Sequence, residues 1–253
     1  KMLMVLRRED HGYRRYIHLG TGNYHPRTTR FYTDFGLLTS NPEIAEDVNE
    51  VFKQLTGLGK ATALKHLWQA PFSLHPKMLA AIRAEIDAAK DGKPARIIAK
   101  MNSLLETEII EALYEASAAG VTVDLIVRGV CSLRPGVKGL SENIRVRSVV
   151  GRFLEHHRIF YFHANGKQNI YLSSADWMER NFFRRIEISF PVLEPKLKRR
   201  VLKEGLKPFL ADNCQAWEMD DTGEYRVKQT RRARICAQEM LLADMAVGAV
   251  NVA

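Results

Sequence analysis

The sequence predicts an α/β fold. Strand-length apolar runs alternate with amphipathic helical stretches along most of the chain, and residues 95–127 read as strand, helix, strand. The second of those strands is apolar except at Thr122 and Asp124, as expected when both faces of a sheet are covered.

Residues 2–7 and 13–19 read as two strands joined by a polar turn at 8–12. Residues 20–39 follow, with Gly20, Gly22, Asn23 and several threonines whose backbone amides are free either to face an anion or simply to make a hairpin connection; Arg27 and Arg30 favour the anion. Asn41 as N-cap and Pro42 at the first helical position open a helix with Ile44, Val48, Val51, Phe52 and Leu55 on one stripe, ended by Gly57 and Gly59. Residues 56–70 are rich in glycine and lysine without clear periodicity and are expected to hold a domain boundary.

Pro76 begins a second helix with Leu79, Ile82, Ile86 and Ala89 inward, stopped near Gly92 and Pro94, before a strand at 95–101. Ser103 and Glu106 form the pattern of a capping box for a helix carrying Ile109, Ile110, Leu113 and Ala116, closed by Gly120. After the strand at 121–127, Arg128 stands where open α/β sheets place ligands; an arginine there either binds one or salt-bridges at the sheet rim. A short strand at 144–150 precedes the central stretch. Beyond that stretch, residues 193–210 read as one helix with a basic, solvated face, 212–228 as loop with one strand, and 231–245 as a last helix.

A formal net charge of +9 favours a polyanionic partner without choosing among nucleic acid, nucleotide, polyphosphate and anionic membrane. Hydrophobic residues at 46% and charged residues at 26% exclude a disordered chain, and no apolar run is long enough to span a bilayer. Cys131, Cys214 and Cys236 are odd in number and lack metal-ligand spacing, which reads as reduced thiols in a cytoplasmic protein. The chain opens Lys-Met directly into a strand, so an internal start is expected and no signal peptide is read.

Residues 151–188 carry the chemistry. His156, His157 and Arg158 precede the buried strand 159–162; a second strand, 169–172, opens into the small turn Ser173, Ser174, Ala175, Asp176; Arg184, Arg185 and Glu187 begin a third apolar run. Arginines bind oxyanions, a histidine can attack phosphorus or move a proton, and a carboxylate can hold the imidazole in one tautomer. Taken singly, His156 reads more readily as a satisfied structural histidine at a strand edge, and His157 as structural or peripheral.

Four segments in order, HLGTGNYHPRTTRFYTDFGLLT, LIVRGVCSLRPG, FLEHHRIFYF and YLSSADWMERN, closely resemble the C-terminal catalytic half of type 1 polyphosphate kinase. The resemblance runs from Lys1 to the final helix. It implies phospholipase D-like α/β sandwich domains: a partial first one at 1–66, lacking its amino-terminal part, and a second at 67–253. Lys1 then corresponds to the lysine of a His-x-Lys motif whose phosphorylated histidine lies upstream, as do the expected Mg²⁺ ligands. No metal site is expected within the chain.

Carried over by residue, the resemblance implies that Tyr32 contacts the nucleotide, Arg128 grips the triphosphate, and His156 is the second catalytic histidine, also touching ATP. Asp34 resembles the partner of the upstream histidine and Glu187 the partner of His156, both catalytic; Arg185 and Arg158 are expected on phosphate oxygens. ATP or ADP and inorganic polyphosphate are the implied partners, with no nucleic acid, a homo-oligomeric assembly, and peripheral membrane association of a cytoplasmic enzyme. Two other readings stay open: a phospholipase D-type phosphodiesterase or nuclease, and a non-catalytic polyanion-binding fragment. The diesterase would have lysine in the third position of both His-x-Lys motifs, where the second half here has Arg158.

Overall fold

A computed structural model of the chain describes residues 1–57, 63–227 and 233–250, with side chains assigned through 246. Strands β1 (Met2–Glu9) and β2 (Gly12–Gly20) form a hairpin, with Gly12 at a φ of +113° in its turn, where a side chain would be strained. The two-residue β3 (Tyr32–Thr33) and β4 (Gly36–Thr39) follow, and β4 pairs with β2 to complete a three-stranded antiparallel sheet. Helix α1 (Pro42–Leu55) starts as the sequence predicts: the Asn41 side chain accepts from the amides of Glu43 and Ile44 at 3.0 and 3.1 Å. Gly57 lies just beyond the helix at positive φ; Gly59 falls outside the described residues.

The second sheet has nine strands. Its elements, in chain order, begin with β5 (Trp68–Ala70), α2 (Leu74–Lys90), β6 (Arg96–Met101), α3 (Thr107–Ala118), β7 (Thr122–Val127) and β8 (Ile144–Val149). A two-residue β9 (Leu154–Glu155) stands apart from it. Then come β10 (Arg158–Phe162), β11 (Asn169–Ser173) and β12 (Glu187–Pro191). Helices α4 (Pro195–Val201) and α5 (Lys207–Ala211), strands β13 (Ala216–Met219) and β14 (Tyr225–Val227), and helix α6 (Ala237–Val250) complete it. The order is β14-β13-β8-β7-β6-β10-β11-β12-β5, with β6, β7 and β8 parallel and the other pairings antiparallel.

Alternation along each strand splits the interior in two. Ile97, Ala99 and Met101 of β6, with Phe160 and Phe162 of β10, pack against Met78, Ile82 and Ile86 of α2 and Ile109 and Leu113 of α3. Ile98 of β6 and Ile159 and Tyr161 of β10 face the other way, into a cluster with Leu206 and Phe209. That second cluster also takes in Ile17, Leu19, Ile44 and Val48, so the three-stranded sheet and α1 share a core with the nine-stranded sheet. Burying a Phe or Ile side chain of this kind stabilises the fold by roughly 1.5–3 kcal/mol.

Four expectations are corrected. The capping box does not form: Glu106 is itself the N-cap of α3 and accepts from the amides of Glu108 and Ile109, while Ser103 is held in the preceding loop by Asp176. The basic helix is broken into α4 and α5 by a π turn at Leu202–Leu206, because Gly205 sits so close to Ile159 and Phe35 that any Cβ would collide, and Pro208 lacks an amide. Residues 216–227 give two strands rather than one, and the last helix begins at Ala237; residues 228–232, where its start was placed, fall outside the described residues. Of the two readings left open for residues 20–39, the amides of Gly20 and Thr21 follow the connecting one, donating to the carbonyls of Lys1 and Phe35. Among the described residues no helix is long and apolar enough to cross a membrane.

Candidate active site

The carboxyl ends of β6, β7 and β11 and the amino ends of β10 and β12 meet at one rim of the large sheet, as their registers require. The three-stranded sheet is joined to this rim by β3, which pairs in parallel with β9: Tyr32 lies opposite Leu154 and Thr33 opposite Glu155. The amide of His156 donates to the Thr33 carbonyl at 3.0 Å and that of Leu154 to Phe31 at 2.7 Å. Because successive side chains in a strand point to opposite sides, Tyr32 and Asp34 share one side and Thr33 takes the other.

On the first side, Asp34 and Tyr32 both meet His156. The Asp34 Oδ1 lies 2.8 Å from His156 Nδ1 and also accepts from Thr21 Oγ1 at 2.7 Å. The Tyr32 ring lies against the imidazole, centroids 4.9 Å apart and tilted by 33°. Gly22 is required here, since a Cβ at that position would come within 2.6 Å of the Asp34 carboxylate. The Asp34 carboxylate accepts a hydrogen bond from Nδ1–H, which keeps the proton on that nitrogen and leaves Nε2 as the one that can give or take a proton on the ligand side.

This is a correction. Asp34 was expected to serve a histidine upstream and Glu187 to serve His156, yet it is Asp34 that meets His156, because β3 lies beside β9. Glu187 is buried instead against Ser174 Oγ and Asn181 Nδ2, the latter at 3.1 Å, with Lys1 Nζ at 4.0 Å. Lys1 is drawn below its ordinary value by burial, against the pull of Glu187, and feels Arg158, Asp34 and Asp176 as well, so it faces the same hollow.

Arg128 stands at the end of β7. Its Nε donates to the Glu155 carbonyl at 2.6 Å, and its terminal nitrogens have no partner among the described residues. Burial, and then the like charge of Arg158, draw its pKa down, and Tyr32 and Asp176 are close enough to oppose the shift. A half-buried guanidinium beside a second one, with its fork open, has the geometry to receive an oxyanion.

Arg158 does not fit its expected place on phosphate oxygens. Its guanidinium is buried, gives Nε and Nη2 to Asp176 at 3.1 and 2.8 Å, and gives Nη1 to the His156 carbonyl. Asp176 in turn accepts from the amides of Asn102 and Ser103 at 2.7 and 3.2 Å. Arg158 therefore supplies positive potential and fixes the loop. Arg185 is exposed, without a partner among the described residues, at the entry to β12. Residue type and position together leave it free to meet an anion.

Sequence reasoning missed the layer behind His156. On the Thr33 side of the bridge, buried Glu155 accepts from Lys100 Nζ at 2.9 Å, Thr33 Oγ1 at 2.9 Å and Gln238 Nε2 of α6 at 2.7 Å. Burial works to raise the Glu155 pKa, but Lys100, with His157 and the hydrogen bond from Gln238, together hold the carboxyl below its ordinary range. The available signal was Lys100 itself, a charge on the same face as Ile98, deep in the strand beyond the Arg96 at its start.

His157 belongs to this layer. Wholly buried between Phe35 and Phe209 and lying near Lys100, its ring is pushed from 6.5 down to about 3. The unfolded chain binds a proton there below pH 6.5 and the folded chain does not, so this residue removes stability as pH falls from 6.5 toward 3, about 2 kcal/mol at pH 5. His157→Gln is expected to reduce the drop in melting temperature between pH 7 and pH 5; an unchanged drop would place the acid sensitivity elsewhere.

With this geometry in hand, comparison with known proteins is decisive. Residues 1–61 match the family model described as polyphosphate kinase C-terminal domain 1, and residues 67–238 match C-terminal domain 2. The chain belongs to the polyphosphate kinase family. Polyphosphate kinases of Burkholderia multivorans and Burkholderia cenocepacia are each 62% identical over 247 residues, which is 96% of this chain and 36% of theirs. The chain thus spans about a third of the length of these relatives. The crystal structure of polyphosphate kinase from Porphyromonas gingivalis superposes with a TM-score of 0.92 at 35% identity, covering 98% of this chain and 38% of that one.

Proposed function

We propose that the polyphosphate kinase to which this chain contributes transfers the terminal phosphate of ATP reversibly to a growing polyphosphate chain through a phosphohistidine, whose histidine is expected in a His-x-Lys motif ending at Lys1. The observation that carries the reading is the Asp34–His156–Tyr32 constellation beside the open fork of Arg128. Tyr32 offers a ring face to the nucleotide, Arg128 takes the triphosphate oxygens, and Lys1 and Arg158 add positive potential. His156, held at Nδ1 by Asp34, presents Nε2 to the phosphoryl group. In the first displacement the upstream imidazole bonds to phosphorus and the bond to the ADP oxygen breaks, with Nε2 of His156 delivering a proton to an oxygen of the leaving group. In the second the terminal polyphosphate oxygen attacks, gives its proton to Nε2, and the phosphorus–nitrogen bond breaks.

The family resemblance implies Mg²⁺, which would neutralise phosphate charge. Among the described residues no group of three or more His, Cys, Asp or Glu is arranged to hold a metal, and no step here runs through one. The test uses the full-length parent with γ-labelled ATP and Mg²⁺. Labelled polymer and an acid-labile phosphoenzyme are expected; absence of both overturns the reading, and cleavage of a phosphodiester in their place would favour the diesterase alternative.

A further inference from the structure

Lys100 is the largest charged side chain wholly inside the described part of the protein. It occupies the centre of the nine-stranded sheet, opposite Ile126 of β7 and Ile159 of β10, on the same face as Ile98. Its ammonium lies 2.9 Å from Glu155 Oε2, 3.4 Å from the Gly205 carbonyl and 2.9 Å from the centroid of the Phe209 ring. An apolar side chain of similar length would fill this position without the cost of desolvating an ammonium, so the packing alone does not call for a lysine.

What the pair does hold is Glu155, and Glu155 is the hub behind the site. Its carboxylate joins β6 through Lys100, β3 through Thr33 and α6 through Gln238. Its main-chain carbonyl receives Arg128 at 2.6 Å, and the residue that follows it is His156. Displacing this carboxylate therefore displaces the anchor of the phosphate-binding arginine and the backbone that presents the imidazole.

We propose that the Lys100–Glu155 ion pair is a positioning device that sets the placement of Arg128 and His156, and through them the affinity for the nucleoside triphosphate. This rests on the phosphotransferase reading above. Neither residue touches substrate; both act through Arg128 and His156.

The pair also has a pH signature. The groups facing Lys100 are the Glu155 carboxylate from β9, the uncharged His157 ring beside it, Gly205 from the π turn and Phe209 from α5, with Ile126 and Ile159 on the flanking strands. Burial pulls Lys100 from 10.5 to about 8, against the opposing pull of Glu155. Above that pH the ammonium is lost and the clasp loosens. Since the folded pKa lies below the ordinary one, the unfolded chain holds more protons at this group between about pH 8 and 10.5, and its contribution to stability rises with pH. Activity then falls in alkali without unfolding, which a merely structural role would not produce.

The experiment compares full-length wild type, Lys100→Met, Glu155→Gln and the double variant for KM and kcat with ATP from pH 6.5 to 9.5, following thermal unfolding in parallel. Each single variant is expected to raise KM for ATP about tenfold at pH 7 with a smaller change in kcat, and Lys100→Met to lose the alkaline limb near pH 8. The double variant, which leaves no buried charge stranded, is expected to lie closer to wild type than either single one. A folded Lys100→Met with wild-type KM and an unchanged limb overturns the proposal, as does a double variant whose losses multiply. If wild type makes no polymer, the phosphotransferase reading fails instead, and equilibrium binding of ATP to the same variants decides the positioning role: a tenfold weaker Kd supports it and an unchanged one overturns it.

Discussion

His156→Ala is expected to lower polyphosphate synthesis by at least about a thousandfold while leaving the fold intact, since a positioned acid–base group contributes roughly 10²–10⁴-fold and its loss also removes the ring beside Tyr32. The fold should survive because the imidazole, at the rim of the large sheet, makes its contacts with Asp34 and Tyr32 and does not link the strands of that sheet to its helices. Asp34 keeps a second partner in Thr21 Oγ1, so no carboxylate is stranded. Radiolabelled polymer formation, read alongside a thermal melt, checks both parts. Retained synthesis in a folded variant would remove His156 from the mechanism.

Asp34→Asn should come close behind, with kcat reduced by about 10²–10⁴-fold and little change in KM for ATP. The substitution preserves shape, but Oδ1 both accepts from Thr21 and faces the ring; an amide nitrogen in its place loses the bond from Thr21 Oγ1, donates to Nδ1 and moves the imidazole proton to Nε2, the wrong tautomer for accepting one. Because Asp34 acts only through His156, the double variant Asp34→Asn/His156→Ala should be scarcely worse than His156→Ala alone. Effects that multiply would mean that the carboxylate serves some other group, as the sequence reading first had it.

That reassignment shows where the sequence is legible and where it is not. Local signals were reliable: Asn41 and Pro42 start α1, and the strand–helix–strand of residues 96–127 is present with its inward residues in the predicted core. The capping box failed because a competing tertiary partner, Asp176, holds the loop at Ser103 while Glu106 caps the helix directly. The pairing of Asp34 with His156 could not be read at all. The two are 122 residues apart, and only the parallel pairing of β3 with β9 brings this acid to this imidazole. Arg158 was named for its charge, but whether a guanidinium faces a ligand or an internal aspartate depends on which way a strand end turns. Lys100 was passed over because it lay inside a run that otherwise satisfied the strand pattern, although a cation among the inward residues of such a run is itself informative.

The two-residue bridge between the sheets also constrains length as well as identity. Tyr32 and Asp34 must both look toward His156 while Thr33 looks away, and side-chain direction reverses at every step. One amino acid inserted between Tyr32 and Asp34 would turn one of the two toward the Lys100 layer, however conservative the inserted residue. Spacing, as much as chemistry, is therefore what this short segment has to keep: a one-residue change reverses the direction of one group, and a two-residue insertion restores the direction but carries that group roughly 7 Å along the strand, away from the imidazole.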